Sequence, residues 1–459
     1  MGNHGSSALN FRCFMNTSLT VLAIAAGILA LFTVGCTSNK PFRTNFTPCN
    51  PTSADCTNAV IESTPDYKLG FVEFDDQGWF WDTNQVKAVE EMIRTEAGIG
   101  QTNNAQGIVI VVFVHGWKNN AATNNDNVVM FRNTLKQLGT AEMIQTNHAA
   151  RKIVGVYAGW RGLSATLEPF KELSFWERKN TAHKVGGYGA MTELLVDLET
   201  LQQASNDSLV TNAPRTELII VGHSFGGAAV YSAISEIVTE RFVDTVKHGE
   251  PLKPLGDQVI LLNPAFEASR HYSLNQMAVS IDQYPTNQRP VLSIFTSKGD
   301  WATHYAFPIG RFFSTMFEKN RDEQQEQANR DAVGWFQPFI THDLIYNTNA
   351  EAQAGSNSTF NLTTKKHELH SPDQLQASIN NVHLQRNKWH PNNPSAATYY
   401  FDESILKPRE NYRPGDPFLI VSVDKKIMKD HDDIANPVII NFLGEYILFC
   451  QTDLRQHSK

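Results

Sequence analysis

Glu217-Leu-Ile-Ile-Val-Gly222-His223-Ser224-Phe225-Gly226-Gly227 is the stretch whose reading decides the fold. Four apolar residues, three of them β-branched, read as a buried strand. The chain then turns through Gly-x-Ser-x-Gly and continues as Ala228-Ala229-Val230, with Ile234 and Val238 at helical spacing. A serine between a strand and a helix in this pattern sits on a nucleophile elbow, a sharp strained turn that lifts its oxygen above the end of a sheet. The flanking glycines follow from the geometry, because a side chain at either place meets the neighbouring strand or helix. The alternative is a serine in an ordinary glycine-rich turn, which needs neither the preceding strand nor the following helix.

Outward from this motif, six apolar β-branched runs recur: Ile108–Val114, Ile153–Tyr157, Leu218–Val221, Val259–Leu262, Val291–Phe295 and Phe418–Val423. They are apolar throughout rather than alternating, as strands covered on both faces by helices are. Gln85–Arg94, Met191–Leu201 and a segment from about Pro437 read as helices. Leu69–Phe74 and Trp79–Trp81, flanking Asp75–Gly78, read as an N-terminal hairpin. The pattern predicts an α/β architecture with a mostly parallel, doubly wound sheet. Residues 161–190 read as a short irregular segment, with Phe170, Phe175 and Trp176 either facing a substrate or packing in the core. Residues 301–416 are polar, aromatic and far longer than one crossover, which predicts a lid-like insertion or a subdomain before the last strand.

At 459 residues and a net charge of −8, with no long Lys/Arg stretch, the chain does not read as a nucleic-acid binder. Leu19–Gly35 is an uncharged apolar run ending at Cys36, which suits a signal-peptide core better than a membrane span. Leu31-Phe-Thr-Val-Gly-Cys36 matches a bacterial lipoprotein cleavage site, with Cys36 the lipidated residue and residues 1–36 the signal. Thr33 stands where an aliphatic residue is usual, and Arg12 is the one positive charge ahead of the core. An uncleaved anchor and an ordinary secretory signal are the competing readings. Residues 37–66, rich in Pro, Thr, Asn and Ser, read as a tether in which Cys49 and Cys56 can close a small disulfide loop. The folded domain is then residues 67–459, and Cys450 reads as a buried core thiol.

A serine nucleophile needs a base, and the base needs a carboxylate. In a sheet of this kind both come from loops after later strands, in the order Ser, acid, His. Asp300 ends the turn after Val291–Phe295 and is the candidate acid; Asp257 precedes its strand, and Asn263 is uncharged. Among fifteen histidines, His431 follows the last strand and is the candidate base, against His304, His342, His367, His370, His383 and His390 in the insertion. Asp430, Asp432 and Asp433 raise a metal-binding loop as the alternative, without spaced partner ligands. His115-Gly116-Trp117 closes the first long strand, and the Trp117 and Phe225 amides are the candidate donors to an oxyanion. His115 itself reads as shaping that turn.

The ordered set His115-Gly116-Trp117, Gly222-His-Ser224-Phe-Gly226, Gly299-Asp300 and His431 resembles the α/β-hydrolase superfamily, and within it exported esterases and lipases of bacterial lipoprotein type. The resemblance runs from about residue 67 to the C-terminus, with 301–416 as its main departure. It implies acyl-enzyme chemistry on a small-molecule or lipid ester, no metal and no organic cofactor, and attachment to the membrane through an N-terminal lipid. Acyl transfer or amide hydrolysis by the same residues, or a catalytically inactive surface binding protein on this scaffold, are the alternative functions.

Overall fold

The computed structural model describes residues 37–53, 56–100, 107–145, 150–164, 170–209, 213–347, 372–386 and 398–451. Cys36 and the candidate leader lie outside them, as do His367, His370 and His390. Among the described residues, no helix is long and apolar enough to cross a membrane.

Eleven strands form one sheet: β1 (Ile61–Ser63), β2 (Lys68–Phe74), β3 (Ile108–Val114), β4 (Lys152–Trp160), β5 (Glu217–His223), β6 (Gln258–Leu262), β7 (Leu292–Ser297), β8 (His342–Tyr346), β9 (Tyr399–Tyr400), β10 (Ser404–Pro408) and β11 (Phe418–Val423). Their spatial order is β1-β2-β4-β3-β5-β6-β7-β11-β8-β10-β9. Every pairing from β2 across to β8 is parallel, and β1, β10 and β9 close the two edges antiparallel. The six apolar runs are the centre of this sheet. In β3 all seven residues are buried, which requires helices on both faces.

Helices α1 (Thr83–Ala97), α4 (Ala190–Ser208), α5 (Phe225–Thr245) and α6 (Ala268–Val279) supply one core, in which Val89, Leu198, Val230 and Leu274 meet Ile110 and Ile220. On the opposite face α2 (Asp126–Gln145), α9 (Pro372–Arg386) and α10 (Pro437–Cys450) supply Phe131, Val382 and Phe442, which meet Val111 and Ile219. The remaining helices are α3 (Phe170–Gly187), α7 (Phe307–Thr315) and α8 (Glu323–Arg330). The chain runs from β3 outward to β4, then returns to the other side of β3 as β5 and continues to β6 and β7. The winding therefore reverses between β3 and β5, and the carboxyl ends of the strands at such a reversal are where open α/β sheets bind ligands.

The edge of the sheet and its insertions differ from the expectation. The N-terminal hairpin is present but short: Asp75 N–H donates to the Trp79 carbonyl and Trp81 N–H to the Glu73 carbonyl, both at 2.9 Å, around one antiparallel bridge between Phe74 and Phe80. Strand β2 is buried along nearly its whole length, so it takes β1 and β4 as neighbours, while Asp82 caps α1 immediately after the turn. The antiparallel edge β1 comes from the stretch read as a tether. That stretch is docked on the sheet: Arg43 is buried over the Phe71 ring at 3.5 Å and pairs with Glu62 at 2.9 Å. Its polar composition supplies hydrogen bonds to the sheet edge rather than to water. Cys49 and Cys56 are disulfide-bonded, with Cα atoms 5.4 Å apart.

Within the segment read as irregular, Phe170–Gly187 form the helix α3, which has no continuous apolar stripe to betray it because both a helix and an aromatic cluster contact it. The described residues of 301–416 build part of the sheet itself, which a lid-like insertion would not. Strand β8 pairs with β11 inside the sheet, β10 and β9 extend it, and α9 packs against α10. The Arg409–Asp343 pair (2.8 Å) and Lys298–Asp343 pair (3.2 Å) tie β10, β8 and the end of β7 together.

Candidate active site

The elbow is formed as its residues require. Strand β5 ends at His223, α5 begins at Phe225, and Ser224 between them has φ 55° and ψ −120°. A non-glycine residue in that region is strained, and the strain is held by two bonds: Ser224 N–H donates to the Leu262 carbonyl (3.0 Å), and its own carbonyl accepts from Ala265 (3.1 Å). A Cβ on Gly226 would sit 2.1 Å from the Val114 carbonyl oxygen, so only glycine lets α5 start against the end of β3. A Cβ on Gly116 would sit 2.7 Å from the Ser224 Cβ, which places the turn after β3 directly against the serine.

His431 Nε2 is 2.7 Å from Ser224 Oγ, and His431 Nδ1 is 2.9 Å from Asp300 Oδ2. Three residues drawn from loops after three different strands thus converge in one line. Asp300 is buried and receives the Thr303 amide on Oδ1 at 3.0 Å and the Thr303 hydroxyl on Oδ2. Burial opposes the charged carboxyl, but the His431 charge and these donors outweigh it and hold its pKa below the usual carboxylate value. Burial also opposes a charged His431; the Asp300 carboxylate, with Asp432 and Asp430 beyond it, reverses this and raises the imidazole above its ordinary value.

The loop that carries His431 is fastened from behind. The His431 carbonyl accepts from His223 Nε2 (2.9 Å) and from Asn263 Nδ2 (2.9 Å), while Asn263 Oδ1 accepts from the Ser297 amide at 2.8 Å. A carbonyl can only accept, so His223 carries its proton on Nε2. Burial depresses the His223 pKa to about 4, which keeps it neutral. Asn263 adopts φ 45°, a left-handed conformation that asparagine tolerates.

Trp117 follows the turn that lies against Ser224, and Phe225 is the residue after that serine. Their amides find no acceptor among the described residues, and each follows a residue that touches the serine or is the serine. The Phe175 ring packs on Phe225 (4.7 Å) and on Trp117 (5.2 Å, edge-on), so the space beside Ser224 is walled by aromatic carbon. Trp176 lies tilted against Phe307 from α7, ring centroids 6.2 Å apart, and Phe170 is the first residue of α3. His115 is buried and shapes its turn: Nδ1 donates to the Gly116 carbonyl, Nε2 accepts from the Trp160 amide at 3.0 Å, and burial lowers its pKa to about 4. Among the competing histidines, His304 stacks on Trp335, His342 is buried in β8, and His383 is exposed on α9; none contacts Ser224.

His223, His431 and Asp432 place ligand atoms within 4.8 Å of one another. Both His431 nitrogens already face Ser224 and Asp300, and Asp433 holds the Lys429 amide and the Asn436 side chain. His223 Nδ1 and the exposed Asp432 carboxylate are then the donors left over, fewer than a structural or catalytic ion needs.

His223, Asn263, Thr303 and Trp335 were not singled out as partners of the site from sequence. His223 lies beside Ser224 in the elbow motif, Thr303 three residues after Asp300, and Asn263-Pro264 at the end of a buried strand, while Trp335 meets the site only through tertiary approach.

No protein-family model matches this chain, and none of the curated proteins does either.

Proposed function

We propose that this protein is a serine hydrolase that cleaves carboxylic esters through an acyl-enzyme, built on an α/β-hydrolase fold. The observation that carries the reading is the Ser224 Oγ–His431 Nε2 contact of 2.7 Å, backed by Asp300 at 2.9 Å and set at the reversal point of the sheet. His431 takes the hydroxyl proton as Ser224 attacks the carbonyl carbon, and Asp300 stabilises the imidazolium. The Trp117 and Phe225 amides are the donors to the developing oxyanion. His431 then returns the proton to the leaving alkoxide, water repeats the sequence on the acyl-enzyme, and the acid departs. The aromatic wall of Trp117, Phe175 and Phe225 favours an apolar acyl or alkyl group beside the nucleophile.

The test is covalent labelling by a fluorophosphonate together with turnover of ester substrates of graded chain length. Both are expected in the full chain and both are lost in Ser224→Ala. Well-folded protein that neither labels nor turns over any ester would favour the surface binding protein instead; labelling with amide or acyl-acceptor turnover only would move the reaction class.

We further propose export to a bacterial cell envelope and lipid attachment at Cys36. The Cys49–Cys56 bond supports an oxidising compartment. Incorporation of radiolabelled palmitate in cells, lost in Cys36→Ala, is the expected result; continued labelling of that variant removes the assignment.

A further inference from the structure

The candidate acid is clamped by residues that a lid would not need to supply. Directly after Asp300 the backbone winds one π-helical turn, Ala302–Ala306, a local form that concentrates at functional sites. It brings Thr303, itself buried, back over the carboxylate, so that one residue meets both Asp300 oxygens, amide to Oδ1 and hydroxyl to Oδ2. Some thirty residues further on, the Trp335 indole Nε1 lies 2.9 Å from the same Thr303 hydroxyl oxygen.

An indole nitrogen can only donate, and a threonine hydroxyl has a single proton. With Trp335 on its lone pair, the Thr303 oxygen directs that proton to Asp300. The turn bearing Trp335 is itself rigidly placed. Val333 N–H donates to the Phe266 carbonyl (3.0 Å), Ala268 N–H donates to the Asp331 carbonyl (3.0 Å), and a Cβ on Gly334 would lie 1.8 Å from Thr296 Oγ1. His304 stacks face-on over the indole at 3.7 Å.

We infer that Thr303 and Trp335 are positioning residues for the reaction: the indole orients the threonine hydroxyl, and the threonine holds the Asp300 carboxylate in the orientation that meets His431. The inference rests on the hydrolase reading for its kinetic consequence only. It gives residues 301–335 a part in assembling the relay from beneath.

Thr303→Val removes the hydroxyl and leaves Asp300 Oδ2 with the His431 N–H alone. The negative charge is then less shared, and His431 titrates at higher pH. The groups facing that imidazole are Asp300 after β7, Asp430 and Asp432 on its own loop, and neutral His223 from β5; His304, Asp331 and Lys425 lie around the acid's turn. None of these changes in the variant. Trp335→Phe keeps the stacked ring and frees the hydroxyl to rotate, so it moves the same readouts in the same direction by less.

The experiment is an NMR titration of the His431 ring in the full chain, with kcat and KM on one short ester, for wild type, Thr303→Val, Thr303→Ser and Trp335→Phe, each checked by thermal melting. The expected result is an upward shift of the His431 titration in Thr303→Val. kcat falls by about tenfold, part of what positioned proton transfer supplies, with KM changed by less than about twofold. Thr303→Ser, which retains the hydroxyl, recovers most of the rate. An unmoved titration in both Thr303→Val and Trp335→Phe, or a change in KM alone, overturns the inference. Wild-type protein inert to esters and probe sinks the hydrolase reading separately, because the titration needs no turnover.

Discussion

His431 Nδ1 stands 2.9 Å from Asp300 Oδ2, and this pair determines both the tautomer and the basicity of the group facing Ser224. Asp300→Asn replaces an acceptor-only group by an amide and allows the imidazole to carry its proton on the nitrogen that should accept from Ser224. kcat is expected to fall by roughly 10⁴ with folding retained. A rate within tenfold of wild type would direct the search to another carboxylate.

The same pair sets the pH dependence. Only neutral His431 can accept the serine proton, and Asp300 raises its pKa above the ordinary histidine value once burial is overcome. On the proposed hydrolase reading, activity is expected to be absent at low pH and to appear as pH rises through that raised value, with the acid limb of kcat/KM above the pH of an unperturbed imidazole. In Asp300→Asn the residual activity should show its acid limb displaced downward. A limb at or below that of free histidine in the wild type would contradict the pairing.

Much of this site was legible in sequence because each part leaves a local mark. Ser224 lies in a motif whose glycines are demanded by contacts as close as 2.1 Å, and Asp300 and His431 each follow a strand buried on both faces. Strands β1, β8, β9 and β10 leave no such mark. They are short edge or near-edge elements, and the burial of β8 alternates rather than running through. Thr303 and Trp335 are invisible for a different reason: their partnership crosses more than thirty residues and depends on a π-helical turn that no periodicity encodes.

Asn263 links the end of β6 to the loop carrying the base, bonding the His431 carbonyl at 2.9 Å and the Ser297 amide at 2.8 Å. Asn263→Ala strips both partners at a buried site. Stability is expected to drop by about 2 kcal/mol for the groups left unpaired. The base loosens by a fraction of an ångström, and kcat falls by roughly ten- to a hundredfold. Urea unfolding and steady-state kinetics on one sample measure both; loss of stability with full kcat would show that His223 alone holds the loop.

Gly116 tests the crowding of the oxyanion turn. An alanine Cβ there lies 2.7 Å from the Ser224 Cβ and 3.1 Å from the His223 carbonyl oxygen; the first belongs to a residue at φ 55° and the second is backbone, so neither yields cheaply. Gly116→Ala should keep the circular-dichroism spectrum while fluorophosphonate labelling of Ser224 slows by about a hundredfold. Labelling at the wild-type rate would place the turn farther from the serine.

Asp416 lies outside the candidate site and gives a stability prediction of opposite sign to the usual acid. It is buried just ahead of β11, accepts from the Phe418 amide at 2.9 Å, and burial pushes its pKa up to about 7. The folded state therefore holds this proton more tightly than the unfolded chain, whose aspartate titrates near 3.8. Below that lower value both states are protonated and there is no penalty. Between the two values stability falls as pH rises, and above about 7 the full penalty of a buried carboxylate is present. Asp416→Asn keeps an acceptor for Phe418 and removes the ionisation. The variant should match wild type in thermal midpoint near pH 4 and exceed it by a few degrees, roughly, at pH 8. Equal midpoints at both pH values would mean that Asp416 ionises in the folded protein without cost.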